Sequence, residues 1–122
     1  MQANESRENY LKTILVLQES KEYVRSIDIA NQLGFSKPSV SIAMKKLVDE
    51  GFIIISDKGY ITLTDKGRDL AVFTLEKDNL IKDFFISIGV DPKKADDQAC
   101  LIEHCIDDDT YQKLKEYILK HQ

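Results

Sequence analysis

The chain has 122 residues, 43% of them hydrophobic and 31% charged, which is enough for one cooperative unit with a core or for two small lobes. This balance excludes a disordered chain, and no apolar run approaches the roughly 20 residues of a membrane helix. Ten Lys/Arg and ten Asp/Glu fall in residues 1–75, against seven and eleven in 76–122, so the whole net charge of −4 sits in the C-terminal part and does not decide whether an N-terminal face binds nucleic acid.

Residues 5–20 place Tyr10, Leu11, Ile14, Leu15 and Leu17 close to one stripe, with Lys12 and Glu19 outside it, which predicts a first helix. "SIDIANQLGFSKPSVSIAMKKLVDEGF" then holds two short helical patterns, Ile27, Ile29, Ala30 and Leu33, followed by Val40, Met44, Leu47 and Val48. Between them Gly34 can end one helix in the left-handed conformation, Ser36 can cap the next, and Pro38 suits its first turn. "FIIISDKGYITLT" reads as two short strands around the Asp and Gly of a tight turn. A long helix follows from Thr64 and Asp65, with Leu70, Phe73, Leu80, Phe84 and Ile88 near one face, and Gly89 stops it. "PKKADDQACLIEHCI" and "DTYQKLKEYILKH" predict two more helices, parted at Asp107 and Asp108. The expected fold is mainly α: an N-terminal winged helix-turn-helix over residues 1–72, joined by a long helix to a small helical domain over 73–122.

In such an arrangement the second helix of the helix-turn-helix lies in the major groove and the hairpin touches backbone or minor groove. If Val40, Met44, Leu47 and Val48 face the core, then Lys37, Ser41, Ile42 and Lys45 lie on or near the outer side. Ser36, Lys37, Pro38, Ser39 and Ser41 stand at the helix start, where the dipole favours phosphates, and Ile42 can touch thymine methyl groups. Arg25, Lys46 and Lys58 are expected to contact phosphates. A solvated surface helix with incidental lysines is the plainer reading, and a protein-interaction module built on the same fold is another. The order helix, turn, helix, wing favours DNA.

"ACLIEHCIDDD" sets Cys100, Glu103 and His104 at i, i+3 and i+4 on one helical face. A thiolate, a carboxylate and an imidazole suit a borderline divalent ion, with Asn9 a candidate fourth donor. On spacing alone a second reading is equally good: Cys100 as a small buried hydrophobe, Glu103 as a surface acid and His104 as its polar neighbour. A Cys–His nucleophile lacks any accompanying oxyanion feature. Cys105 points elsewhere and is expected in the core, and His121 at a frayed end. The two cysteines cannot form a disulfide framework. The N-terminus shows no secretory signal, so a cytoplasmic location is expected.

"ENYLKTIL" (8–15), "SIDIANQLGFSKPSVSIAMKKLVDEGFI" (26–53), "ITLTDKG" (61–67) and "DDQACLIEHCIDDD" (96–109) together resemble the metal-dependent repressors of the diphtheria toxin repressor and manganese transport regulator family. The resemblance runs over nearly the whole chain. It implies a homodimer whose N-terminal winged helix reads double-stranded operator DNA, whose second domain supplies dimer contacts and most metal ligands, and whose co-repressor is Fe²⁺ or Mn²⁺. By position, Cys100, Glu103 and His104 match the activating site of the iron-responsive branch, and Asn9 falls where that site has a Met. The manganese branch has a Glu where Cys100 stands, so the thiolate favours iron.

Asp78 stands where both branches place a His ligand, Lys12 where the manganese branch has a Glu, and Lys82 and Asp96 where the iron branch has ancillary Glu and His ligands. One ion per subunit is therefore expected rather than two, with Asp78 able to bind it. The expectation is a metal-switched repressor, not an enzyme, with no organic cofactor and no membrane partner. Alternatives are a winged-helix regulator with a degenerate metal site and a protein-interaction adaptor.

Overall fold

A computed structural model describes residues 3–121, with side chains from Arg7 onward. The chain runs α1 (Ala3–Ser20), α2 (Ser26–Leu33), α3 (Lys37–Asp49), β1 (Ile53–Ile55), β2 (Ile61–Leu63), α4 (Asp65–Ser87), α5 (Pro92–Glu103) and α6 (Asp108–Lys120). It divides into two compact units, one up to Val72 and one from Phe73 onward, with α4 passing from the first into the second. No helix among the described residues is long and apolar enough to cross a membrane.

The first unit is a winged helix, and local chemistry sets its corners. α2 ends at Gly34, whose φ of 71° is the left-handed conformation glycine adopts freely, and its N–H closes on the Ala30 carbonyl. Ser36 caps α3, its hydroxyl accepting from the Ser39 N–H at 3.3 Å, and Pro38 occupies the first turn. β1 and β2 pair antiparallel, Ile53 opposite Leu63 and Ile55 opposite Ile61, across the turn that the Gly59 N–H closes on the Ser56 carbonyl. Leu11, Ile14, Val24, Ile29, Val40, Met44 and Ile53 fill the interior. Thr64 fixes the wing to α4: its hydroxyl donates to the Gly51 carbonyl at 2.7 Å and accepts from the Gly67 N–H at 3.1 Å.

One expected core position is corrected here. Val48 is 39% exposed, because Val40, Met44 and Leu47 already define the buried stripe of α3 and Val48 falls at its edge.

In the second unit α4 is rotated relative to the expectation. Leu70, Phe73, Leu80 and Phe84 are only half-buried and Ile88 is exposed, whereas Thr74, Lys77, Asp78 and Ile81 are buried, as is Ala71 just before the boundary. The buried line is displaced by one residue, about 100° around the helix, onto smaller and more polar side chains. Lys77 is accommodated by aromatic faces: its ammonium lies 4.9 Å from the Phe73 ring centre and 5.8 Å from that of Tyr111. α5, capped by Asp91, buries the line Ala95, Ala99, Glu103. It stops at Glu103 instead of running to Ile106, because the Cys105 N–H turns back to the Ile102 carbonyl at 2.9 Å and Asp107 caps α6 immediately afterwards. That early stop leaves Cys105 exposed rather than in the core. His121 is also not loose: it ends α6 with Nδ1 2.8 Å from the Tyr117 carbonyl oxygen and its ring stacked on Tyr117 at 4.0 Å.

Candidate metal centre and nucleic-acid face

The last turn of α5 gathers three donors. Single ligand atoms of Cys100, Glu103 and His104 lie within 4.8 Å of one another. The i, i+3, i+4 spacing survives the end of the helix because His104, its cap residue, keeps a helical backbone (φ −87°, ψ −12°). Glu103 is not the surface acid of the plainer reading: it is fully buried, continuing the Ala95–Ala99 line. The His104 side chain is 2% exposed, so what accessibility the residue has belongs to its backbone, and its Nε2 stands 3.2 Å from Glu103 Oε1.

The chemistry of this set fits a borderline divalent cation. Donors on one first-row ion at about 2.0–2.3 Å stand within about 4.5 Å of each other, so small side-chain adjustments bring the three into range. The helix end adds to this. A C-terminus carries the negative pole of the helix dipole, and the last turn of α5 contains Glu103 and no basic residue. Asp78 is a further buried carboxylate of the same unit, on α4. Asn9 lies half-buried on α1, in the first unit, and so does Lys12. Lys82 and Asp96 form an ion pair at 3.7 Å between α4 and α5.

In the first unit the outward side of α3 is as the periodicity predicts. Lys37, Ser39, Ser41, Ile42 and Lys45 are all exposed, Ile42 to 70%. The Ser36 hydroxyl serves the helix start, accepting from the Ser39 N–H and donating to the Ser39 hydroxyl at 2.8 Å. Pro38 and Lys46 are exposed on α3, Lys58 at the hairpin turn, and Arg25 just before α2.

Sequence reasoning missed two features. A groove of about 240 Å³ lies between α1 and α3, with Arg7 and Tyr10 on one side and Ser39, Ile42 and Lys46 on the other. Arg7 there binds the Glu50 carboxylate and lies over the Phe52 ring. The second feature is an aromatic stack of Tyr23 on Tyr60. Both are contacts between residues far apart in the chain, and no local pattern announces them.

Comparison with known proteins decides the family. The iron dependent repressor N-terminal DNA binding domain matches residues 3–61, and the iron dependent repressor metal binding and dimerisation domain matches 64–122. The chain belongs to the iron dependent repressor family. The family's members are transcriptional repressors, not enzymes, and they are metal-dependent. An uncharacterised HTH-type transcriptional regulator of Methanocaldococcus jannaschii is 32% identical over 96% of this chain and 95% of its own length. The diphtheria toxin repressor of Corynebacterium glutamicum is 30% identical over 93% of this chain. A manganese-dependent transcriptional repressor solved with manganese superposes with a TM-score of 0.82 at 28% identity, over 92% of this chain. The chain spans about half of the latter two, 50% and 52% of their lengths.

Proposed function

We propose that the chain is a homodimeric repressor in which Fe²⁺ or Mn²⁺, held by Cys100, Glu103 and His104, switches on binding to operator DNA. The observation that carries the reading is the fully buried Glu103 carboxylate placed with a thiol and an imidazole at the negative end of α5. The ion would supply a compact positive charge to this set of donors. Cys100 makes iron the first choice, since a thiolate prefers the softer ion. Asp78 is the proposed further ligand.

A single ion per subunit is favoured by the Lys82–Asp96 pair, in which an ammonium already sits against the carboxylate where the resemblance would seek ancillary ligands. The exposed side of α3, with Lys37, Ser39, Ser41, Ile42 and Lys45, is proposed to enter the major groove, and Arg25, Lys46 and Lys58 to hold phosphates. Leu101, Ile88 and Leu119, exposed apolar residues of the second unit, support pairing of two copies through that unit. Switching requires the ion to bind the DNA-competent form more tightly, by about 1.4 kcal/mol for each tenfold of activation.

The test is calorimetric titration of metal-free protein with Mn²⁺, Co²⁺ and, anaerobically, Fe²⁺, followed by binding to duplexes selected from a random library by the metal-loaded protein. One equivalent per subunit that raises DNA affinity, and that is lost in Cys100→Ala/His104→Ala, is the expected result. DNA binding unchanged by chelation would overturn the metal switch.

A further inference from the structure

The wing and the segment before α2 are joined at an exposed cluster of which the DNA-binding reading uses only Arg25. The Ile61 N–H of β2 donates to the Val24 carbonyl at 2.7 Å, which lays residues 23–25 alongside the hairpin. Arg25 is extended there (φ −121°, ψ 165°), and its N–H is held by Asp28 Oδ2 at 2.9 Å. Residues two apart in an extended segment project to the same side. Tyr23 and Arg25 accordingly both reach the ring of Tyr60. The Tyr23 ring stacks on it at 4.2 Å and 13°, and the Arg25 guanidinium carbon stands 4.8 Å from its centre.

Among the described residues no carboxylate lies within ion-pair distance of that guanidinium. A guanidinium seated on an aromatic face spends its π surface on the ring and keeps its N–H fork, directed around its edge, for another planar or tetrahedral anion. We infer that Tyr60, backed by Tyr23, positions Arg25 as a preformed clamp for a DNA backbone phosphate beside the wing. The inference rests on the reading that the first unit binds duplex DNA, and adds to it that an aromatic residue with no contact to DNA sets the strength of one phosphate contact. Asp28 supports the same arrangement: burial pushes its carboxyl up, but the Arg25 N–H, the Lys21 ammonium at 3.1 Å and, least, the charge of the Arg25 guanidinium beyond ion-pair distance outweigh this and hold it below the usual carboxylate range. It therefore remains an anionic anchor for the Arg25 backbone.

Phosphate contacts are independent of sequence, so the probe is a fluorescein-labelled duplex of mixed sequence, about 30 base pairs or three helical turns long, titrated with the full chain by anisotropy over a range of KCl. Arg25→Ala is expected to weaken binding about five- to tenfold and to lower the slope of log K against log salt by about 0.9, the loss of one phosphate contact. Tyr60→Leu should lower both in the same direction. Tyr60→Phe should match the wild type, and the double variant Arg25→Ala/Tyr60→Leu should bind no more weakly than Arg25→Ala. Lys37→Ala, on α3, should instead add fully to Tyr60→Leu. Full additivity of Tyr60→Leu with Arg25→Ala would overturn the clamp while leaving DNA binding intact. Absence of any salt-dependent binding by the wild type would overturn both. If Tyr60→Leu fails to fold, Arg25→Lys carries the test: it keeps the charge and loses the planar stack, so wild-type affinity in that variant would refute the positioning role.

Discussion

Glu103→Gln separates a metal ligand from a structural residue, because it keeps the size of the side chain and its capacity to accept a hydrogen bond from His104 while removing the charge. In metal-free protein the change replaces one buried hydrogen-bonding arrangement by another, an effect of about 0.5–1.5 kcal/mol. With 122 residues, an unfolding entropy of about 2.1 cal/mol/K per residue gives about 0.26 kcal/mol/K, so the metal-free midpoint should move by about 2–6 °C. Metal at 100 times its Kd stabilises the wild type by about 2.7 kcal/mol, a rise of about 10 °C. If the lost carboxylate weakens binding about 100-fold, the same metal concentration leaves only about 0.4 kcal/mol, or about 2 °C. The assay is differential scanning fluorimetry with Mn²⁺ or Co²⁺ against EDTA. Equal metal-induced shifts in wild type and variant would refute Glu103 as a ligand, and no shift in either would refute the metal centre.

Gly67→Ala should be strongly destabilising, by about 3 kcal/mol or more, since the new Cβ would stand 1.9 Å from the Phe52 carbonyl oxygen, a backbone atom that cannot swing aside; a midpoint within about 2 °C of wild type would contradict the close approach of α4 to the wing. Cys105→Ser should leave metal stoichiometry and affinity unchanged, because Cys105 is exposed beyond the end of α5, and in the wild type metal should protect Cys100 but not Cys105 from alkylation, read by mass spectrometry. The Thr110 N–H, donating to Asp107 at 2.7 Å, holds the Asp107 carboxyl below the usual carboxylate range. A carboxyl lowered in the fold stabilises at pH values above its unfolded pKa, and that contribution is lost as pH falls through the lower folded value. Thermal melts should show acid destabilisation that begins as pH falls into the ordinary carboxylate range and is complete below the lowered folded value, less steep in Asp107→Asn, which keeps a capping side chain but does not titrate; identical acid limbs would contradict the assignment.

The helix-turn-helix and wing were legible because their signals are local. Gly34, Ser36, Pro38 and the Ser-Asp-Lys-Gly turn each fix a corner within a few residues, and the structure uses every one of them. The spacing of Cys100, Glu103 and His104 was legible for the same reason, whereas the burial of Glu103 was not. That burial comes from the Ala95–Ala99–Glu103 line, a stripe of small residues with little hydrophobic signal, just as the buried side of α4 follows Thr74, Asp78 and Ile81 rather than the larger Phe73 and Leu80. Cys105 was misplaced because two helical turns of pattern suggested that α5 continued, while Asp107 was already committed to capping α6. The Arg7–Glu50 pair joins positions 43 residues apart and leaves no trace in either local stretch.

The energetic position of Glu103 is the strongest reason to read α5 as functional. A buried carboxylate costs desolvation, and its place in the last turn of a helix sets it against the negative end of the dipole. Its neighbour His104 stands 3.2 Å away. An apolar residue following Ala95 and Ala99 would pack the same line without either cost, and such replacements are often neutral or stabilising. A divalent ion reverses both terms, because it pairs with the carboxylate directly and is favoured by the helix end. A cation that bound this carboxylate more tightly in the DNA-competent form would supply the differential a ligand must have to shift a population.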